Sequence, residues 1–204
     1  IAQPMDAVWD DENDNYTHSA DGTAVHFLEY DKVEYDLTIA NIPVTNVNAN
    51  NITGPGISGN VWYDALSNTL NLENASIVCL NEDDENGIYN SIDGLTINLV
   101  GNNYIATDED GISLHASTAI TGTGKLLIES EYGIYDYSAQ HTLTIADGCE
   151  VEVDASQCGV HMRDESTLLI DRATLKSTGG YGSSVRTMDL QLRGVKILSP
   201  AGAY

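Results

Sequence analysis

Four phrases decide the fold: Asn86-Gly87-Ile88-Tyr89, Asp110-Gly111-Ile112-Ser113, Tyr132-Gly133-Ile134-Tyr135 and Cys158-Gly159-Val160-His161. Their glycines are 24, 22 and 26 residues apart. Between them sits a second phrase: Leu95-Thr96-Ile97, Ala119-Ile120-Thr121, Leu143-Thr144-Ile145 and Leu168-Leu169-Ile170. A period of this size marks a repeat architecture, in which each unit cannot bury its apolar side alone. Working outward, the second strand starts at Leu70, Leu95, Ile120, Leu143, Leu168 and Leu190. A third holds Ala75-Ser76-Ile77, Tyr104-Ile105, Leu126-Leu127-Ile128, Val151-Glu152-Val153, Ala173-Thr174-Leu175 and Val195-Lys196-Ile197. Within each, apolar and polar residues alternate with period two, which sends one set inward and the next outward. No long segment carries a helical stripe, and Asn, Asp, Thr and Gly recur throughout.

Three short strands per repeat predict an all-β parallel β-helix, a solenoid of about five to six coils. Coils stacked at about 4.8 Å bury one aliphatic column and make a rod of roughly 25–30 Å. An antiparallel sandwich of short strands is the competing fold, but it does not demand matching phrases at a fixed step. The glycines of the first phrase fall at the corner entering a strand, where φ is positive or room is tight. Residues 1–34 read as an acidic arm and capping segment, with Phe27 and Tyr30 placed to cover an open sheet end. Residues 35–204 read as the β-helix domain. Val61-Trp62-Tyr63 and Thr69-Leu70-Asn71-Leu72 form either a hairpin or a first coil. Asp11, Asn13 and Asn15 have the spacing of an EF-hand start, but Tyr16 stands where glycine is required and Gly22 where the bidentate acid belongs.

The 204 residues carry 31 acids against 8 bases, a formal charge of -23. That sign excludes a nucleic-acid binder and an anionic membrane surface. No apolar run has the length of a membrane-spanning helix, so no membrane insertion is expected. Hydrophobic residues make up 42%, with 11 Tyr, 2 Trp and a single Phe. A narrow solenoid interior is filled by Ile, Leu and Val and needs no Phe. Cys79, Cys149 and Cys158 allow at most one internal disulfide; Cys149 and Cys158 are near enough to pair, whereas buried apolar thiols are the commoner state. The first residue is Ile1, which suggests a removed signal peptide, and the native chain is open to continuing beyond Tyr204.

A resemblance enters at Tyr35-Asp36-Leu37-Thr38-Ile39 with Val44-Thr45, then Asn51-Ile52-Thr53-Gly54, Val61-Trp62-Tyr63-Asp64 and Thr69-Leu70-Asn71-Leu72-Glu73-Asn74-Ala75-Ser76-Ile77. Over residues 35 to 200 the chain resembles secreted gut-bacterial repeat proteins of the right-handed parallel β-helix type, in the pectate-lyase-like superfamily. The resemblance implies that fold, a secreted or cell-surface location, and carbohydrate-binding or adhesin-like roles. It implies no catalytic residue. Neither His115 nor His161 lies in the Gly-His-Gly of polygalacturonase-like hydrolases, and Val195-Lys196-Ile197 lacks the arginine of their Arg-Ile-Lys. Arg163 and Arg186 are candidate bases for a lyase, with no motif around them.

Two surface features can carry chemistry. The loops entering the first strand hold Glu82-Asp83-Asp84-Glu85, Asp108-Glu109-Asp110, Glu129 and Glu131. Stacked acids repel unless water or a cation intervenes, so a Ca²⁺ site with Asp84, Asp108 and Asp110 as ligands is one expectation, and solvated turns the other. The second feature is the outer face of the first strands. Tyr89, Ser113, Tyr135 and His161 form one column; Ser91, His115, Tyr137 and Arg163 form the next. Aromatic rings beside hydrogen-bonding groups suit the C–H faces and hydroxyls of sugars. A plain β-surface also favours Tyr. The expected carbohydrate-binding residues are Tyr89, His115, Tyr135, Tyr137, His161 and Arg163, and the partner a polysaccharide or surface glycan. The alternatives are a Ca²⁺-dependent polysaccharide lyase or glycoside hydrolase acting on acidic glycans, and a passive structural spacer.

Overall fold

A computed structural model describes residues 7–10, 15–18, 24–25, 31–79 and 86–195. The chain divides into two compact units, Ile1–Lys32 and Val33–Tyr204. In the first, β1 (Ala7–Asp10), β2 (Asn15–His18) and β3 (Ala24–Val25) form a small antiparallel sheet. Phe27 and Tyr30, the expected cap residues, lie outside the described residues, as do Asp84 and its acidic neighbours.

The second unit begins with β4 (Glu34–Ile39) and β5 (Ile42–Thr45), a hairpin whose turn residues Ala40 and Asn41 have φ of 47° and 59°. Two consecutive positive φ values give the turn whose twist matches paired strands. Next come β6 (Ile57–Asp64) and β7 (Thr69–Cys79), which pair antiparallel, so the ambiguous segment is a hairpin. The same β7 also opens the stack, because it pairs parallel to two later strands, β9 (Leu95–Val100) and β10 (Asn102–Thr107).

From there the chain winds through three sides per turn. Together with β8 (Ile88–Asn90), β9 and β10 complete one coil. Then β11 (Asp110–Leu114), β12 (Thr118–Gly122) and the first half of β13 (Lys125–Asp136) complete the next. The rest of β13, β14 (Thr142–Ala146) and the first half of β15 (Glu150–His161) follow. The remainder of β15 is continued by β16 (Thr167–Asp171) and β17 (Thr174–Gly179), and β18 (Val185–Arg186) and β19 (Asp189–Arg193) begin another coil. Pairing between coils is parallel throughout. The protein is therefore an all-β parallel solenoid of about five turns, with no helix among the described residues.

Register confirms the inward set. Ile88, Ile112, Ile134, Val160 and Val185 form one column. On the second side Leu70, Ile97, Ile120, Ile145, Ile170 and Leu192 line up. The phrase spacing places Leu70 and Ile120 beside Leu95, whereas both sit beside Ile97, two residues further along. Likewise Leu175 sits on Val151, and Ser177 on Val153. A two-residue slip leaves every side chain on its proper face, so the hydrophobic pattern cannot detect it.

The corner glycines are settled by room. Gly87, Gly111, Gly133 and Gly159 are absent from the positive-φ residues. A Cβ on Gly111 would lie 2.6 Å from the Gly133 carbonyl oxygen and would collide with Ile128; one on Gly133 would collide with Val153 and with the Gly159 carbonyl. Each glycine thus leaves space for the next coil's backbone. Two buried asparagines tie coils at other corners. Asn103 accepts from the Ala75 N–H and donates to the Val100 and Lys125 carbonyls, while Asn90 donates to the Ile92 carbonyl and Thr118 Oγ1 and accepts from the Ile92 N–H. Cys79, Cys149 and Cys158 are buried, and Cys149 and Cys158 are not bridged to each other.

At the N-terminal end the stack is covered. Strand β4 runs antiparallel on β8, and Leu37, Ile39, Val44, Ile52 and Val61 are buried against the first coil. At the other end Val185, Leu190 and Leu192 are exposed.

Candidate functional site

The outward residues of the first strands are brought together into one run of rings. Tyr89 meets His115 at 4.7 Å between centroids, and His115 stacks on Tyr137 at 4.9 Å with planes 1° apart. Tyr137 meets Tyr135 at 4.7 Å, and Tyr135 meets His161 at 4.5 Å. The cause is register: Tyr89, Ser113, Tyr135 and His161 are in-line partners on successive strands. Parallel strands repeat at about 4.8 Å, which is the distance at which aromatic rings attract. Arg163 is exposed beyond the end of β15. Sequence reasoning missed Tyr132, whose ring joins Tyr135 at 5.3 Å. It occupies the slot before the corner glycine, in register with Asp110 and Cys158, and that slot was its available signal.

Both platform histidines are held below the ordinary histidine value. Burial is the main cause for each, and for His161 the charges of Arg186 and Arg163 add to it. Their rings are therefore neutral at pH 7. Arg186 is the register partner of His161.

Two buried carboxyls lie at this face, and they differ. Asp136 has no exposure and is fully partnered: His141 Nδ1 is 2.9 Å away, and the Ser138 and Arg163 N–H groups donate to it. Asp110 is 1% exposed, and neither of its carboxyl oxygens has a hydrogen-bond partner of normal geometry. The Ser113 and Tyr137 hydroxyls lie near enough to favour its charged form but do not complete such a bond. Burial outweighs them and, with Glu109 and Glu131 nearby, pushes the Asp110 pKa up to about 6. The Tyr137 phenol is raised in turn, by burial first and then by the Asp110 charge. Ser113 Oγ is 3.4 Å from His115 Nε2, so the hydroxyl nearest the carboxyl is linked to the imidazole of the ring run.

Of the three expected calcium ligands, two lie among the described residues. Asp108 is exposed and Asp110 is buried, and no three His, Cys, Asp or Glu among the described residues could hold a metal ion. Asp84 lies outside the described residues. The third side carries a charge ladder in which Glu150 receives Lys125 and Lys176, each at 2.8 Å, and Lys176 also reaches Glu152 at 3.2 Å. The two lysines hold the Glu150 carboxyl down at about 2. These residues line an open depression with Tyr104.

Charge is segregated along the chain: the sequence has no Lys or Arg between Val33 and Gly124, and six between Lys125 and Val195. Among the described residues no helix is long and apolar enough to cross a membrane. No family model matches the chain, and neither the curated proteins nor the solved structures contain a significant match.

Proposed function

We propose that this chain is a non-catalytic carbohydrate-binding β-helix, secreted or displayed at a cell surface, that holds a polysaccharide or surface glycan on its Tyr–His face. The single observation that supports the reading is the unbroken run of rings from Tyr89 through His115, Tyr137 and Tyr135 to His161. Sugar C–H faces stack on such rings, and the neutral imidazoles and phenols supply donors and acceptors for hydroxyls. The place of the chain among pectate-lyase-like β-helices is part of the same reading.

The test is a glycan array run with Ca²⁺ and again with EDTA, on wild type, Tyr135→Ala and Tyr137→Ala. Loss of one stacking ring is expected to weaken binding by about fivefold, from an interaction of about 1 kcal/mol. A glycan bound equally by both variants would place its site elsewhere and overturn the reading. An array on which nothing binds wild type would leave the passive spacer.

A further inference from the structure

Asp136 shows how this fold settles a structural carboxylate: every oxygen is met by a backbone N–H or an imidazole. Asp110 is as deeply buried, yet neither of its oxygens completes a hydrogen bond of normal geometry, with only the Ser113 and Tyr137 hydroxyls nearby. Leaving such a group unmatched is costly unless something else completes it. Its surroundings say what chemistry that is. A hard cation such as Ca²⁺ takes six or more oxygens, and here one carboxyl and two hydroxyls stand beside Tyr137 and the register partner Tyr132, whose rings both meet Tyr135. Rings over a buried negative charge favour an organic ammonium, which is attracted both by the carboxylate and by the π faces.

We propose that Asp110, together with Tyr132, Tyr135 and Tyr137, forms a subsite for the protonated amine of an amino sugar. The ligand class is thus a glycan bearing free amino groups, not an acidic one. Tyr137, 44% exposed, is the ring that shifts to let the amine reach the carboxyl. The proposal rests on the carbohydrate reading of this face and narrows it. The charge pattern agrees with it: Glu109 and Glu131 flank Asp110, and no Lys or Arg precedes Lys125 in this unit.

The experiment measures binding of glucosamine oligomers and of N-acetylglucosamine oligomers of equal length, by calorimetry at neutral pH and moderate salt. Both are run on wild type, Asp110→Asn and Tyr137→Ala, with melting curves to show that each variant folds. Wild type is expected to prefer the free-amine oligomer by about tenfold, the worth of a charged hydrogen bond. Asp110→Asn should lose that preference and keep its affinity for the acetylated oligomer. Equal binding of the two oligomers, unchanged in Asp110→Asn, would overturn the ammonium subsite and leave the stacking face standing. A preference that survives in Asp110→Asn would assign it to the general negative charge of the protein and also overturn the subsite. Binding of neither oligomer, with another glycan bound through Tyr137, would remove the subsite alone; no glycan bound at all would remove both readings.

Discussion

Replacing Asp110 by asparagine should make the protein more stable at neutral pH. The carboxyl is 1% exposed, without a hydrogen bond of normal geometry, and its pKa stands at about 6 against 3.8 for an ordinary aspartate. A raised carboxyl pKa means that the folded state binds the proton more tightly than the unfolded chain. Stability therefore falls as pH rises from about 4 to about 6, and the loss persists above that. The difference in pKa corresponds to about 3 kcal/mol at most. Asparagine keeps the shape and removes the charge, so Asp110→Asn escapes the loss. Urea unfolding of both proteins at several pH values isolates this group, since the other acids titrate alike in each. The variant should be more stable by up to about 3 kcal/mol at pH 7, or roughly 6–12 °C in melting temperature for a chain of this size. The gap should close toward pH 4. An Asp110→Asn protein no more stable than wild type at pH 7, or a gap that does not change with pH, would refute the reasoning.

Gly133→Ala should destabilise the stack by about 1–3 kcal/mol or more in urea unfolding, because the new methyl meets Val153 and the Gly159 carbonyl; an unchanged midpoint would show that the corner can give way. Lys176→Met should change stability by less than about 1 kcal/mol, as expected for exposed ion pairs. The same variant should raise the Glu150 midpoint from about 2, as followed by NMR titration, and a midpoint that stays put would assign the depression to Lys125 alone.

The coil was legible because Gly-Ile phrases recur at a nearly fixed step and because stacking demands that Ile88, Ile112, Ile134 and Val160 coincide. The aromatic face was legible for the same reason: once those four share a column, Tyr89, Ser113, Tyr135 and His161 must share the opposite one. Strand register was less legible, since a slip of two at Leu70, Ile120 or Leu175 changes neither face nor composition. The antiparallel start was hidden by the same parity. Alternation in Val61-Trp62-Tyr63 is equally good for a strand running either way, and strand direction depends on the tight turn after Asp64, where Asn68 has φ of 52°. Asp110 was read as a surface acid because it stands between Glu109 and a glycine. Tyr137, delivered from the next coil, comes to lie beside it, and a contact of that kind has no local signature.

The stacked corners have a metric consequence for the ring face. Its pitch is set by backbone hydrogen bonds between coils, and the glycines let those backbones close to a common spacing. The half-buried Tyr89, Tyr135 and His161 ride on that spacing and do not set it, whereas Ser113, 1% exposed, is packed beneath its neighbours. The face is in this sense a ruler, whose graduations belong to the main chain while the marks upon them belong to the side chains. A repeating polymer is measured by such a surface unit against unit, and its fit is decided by period before it is decided by chemistry.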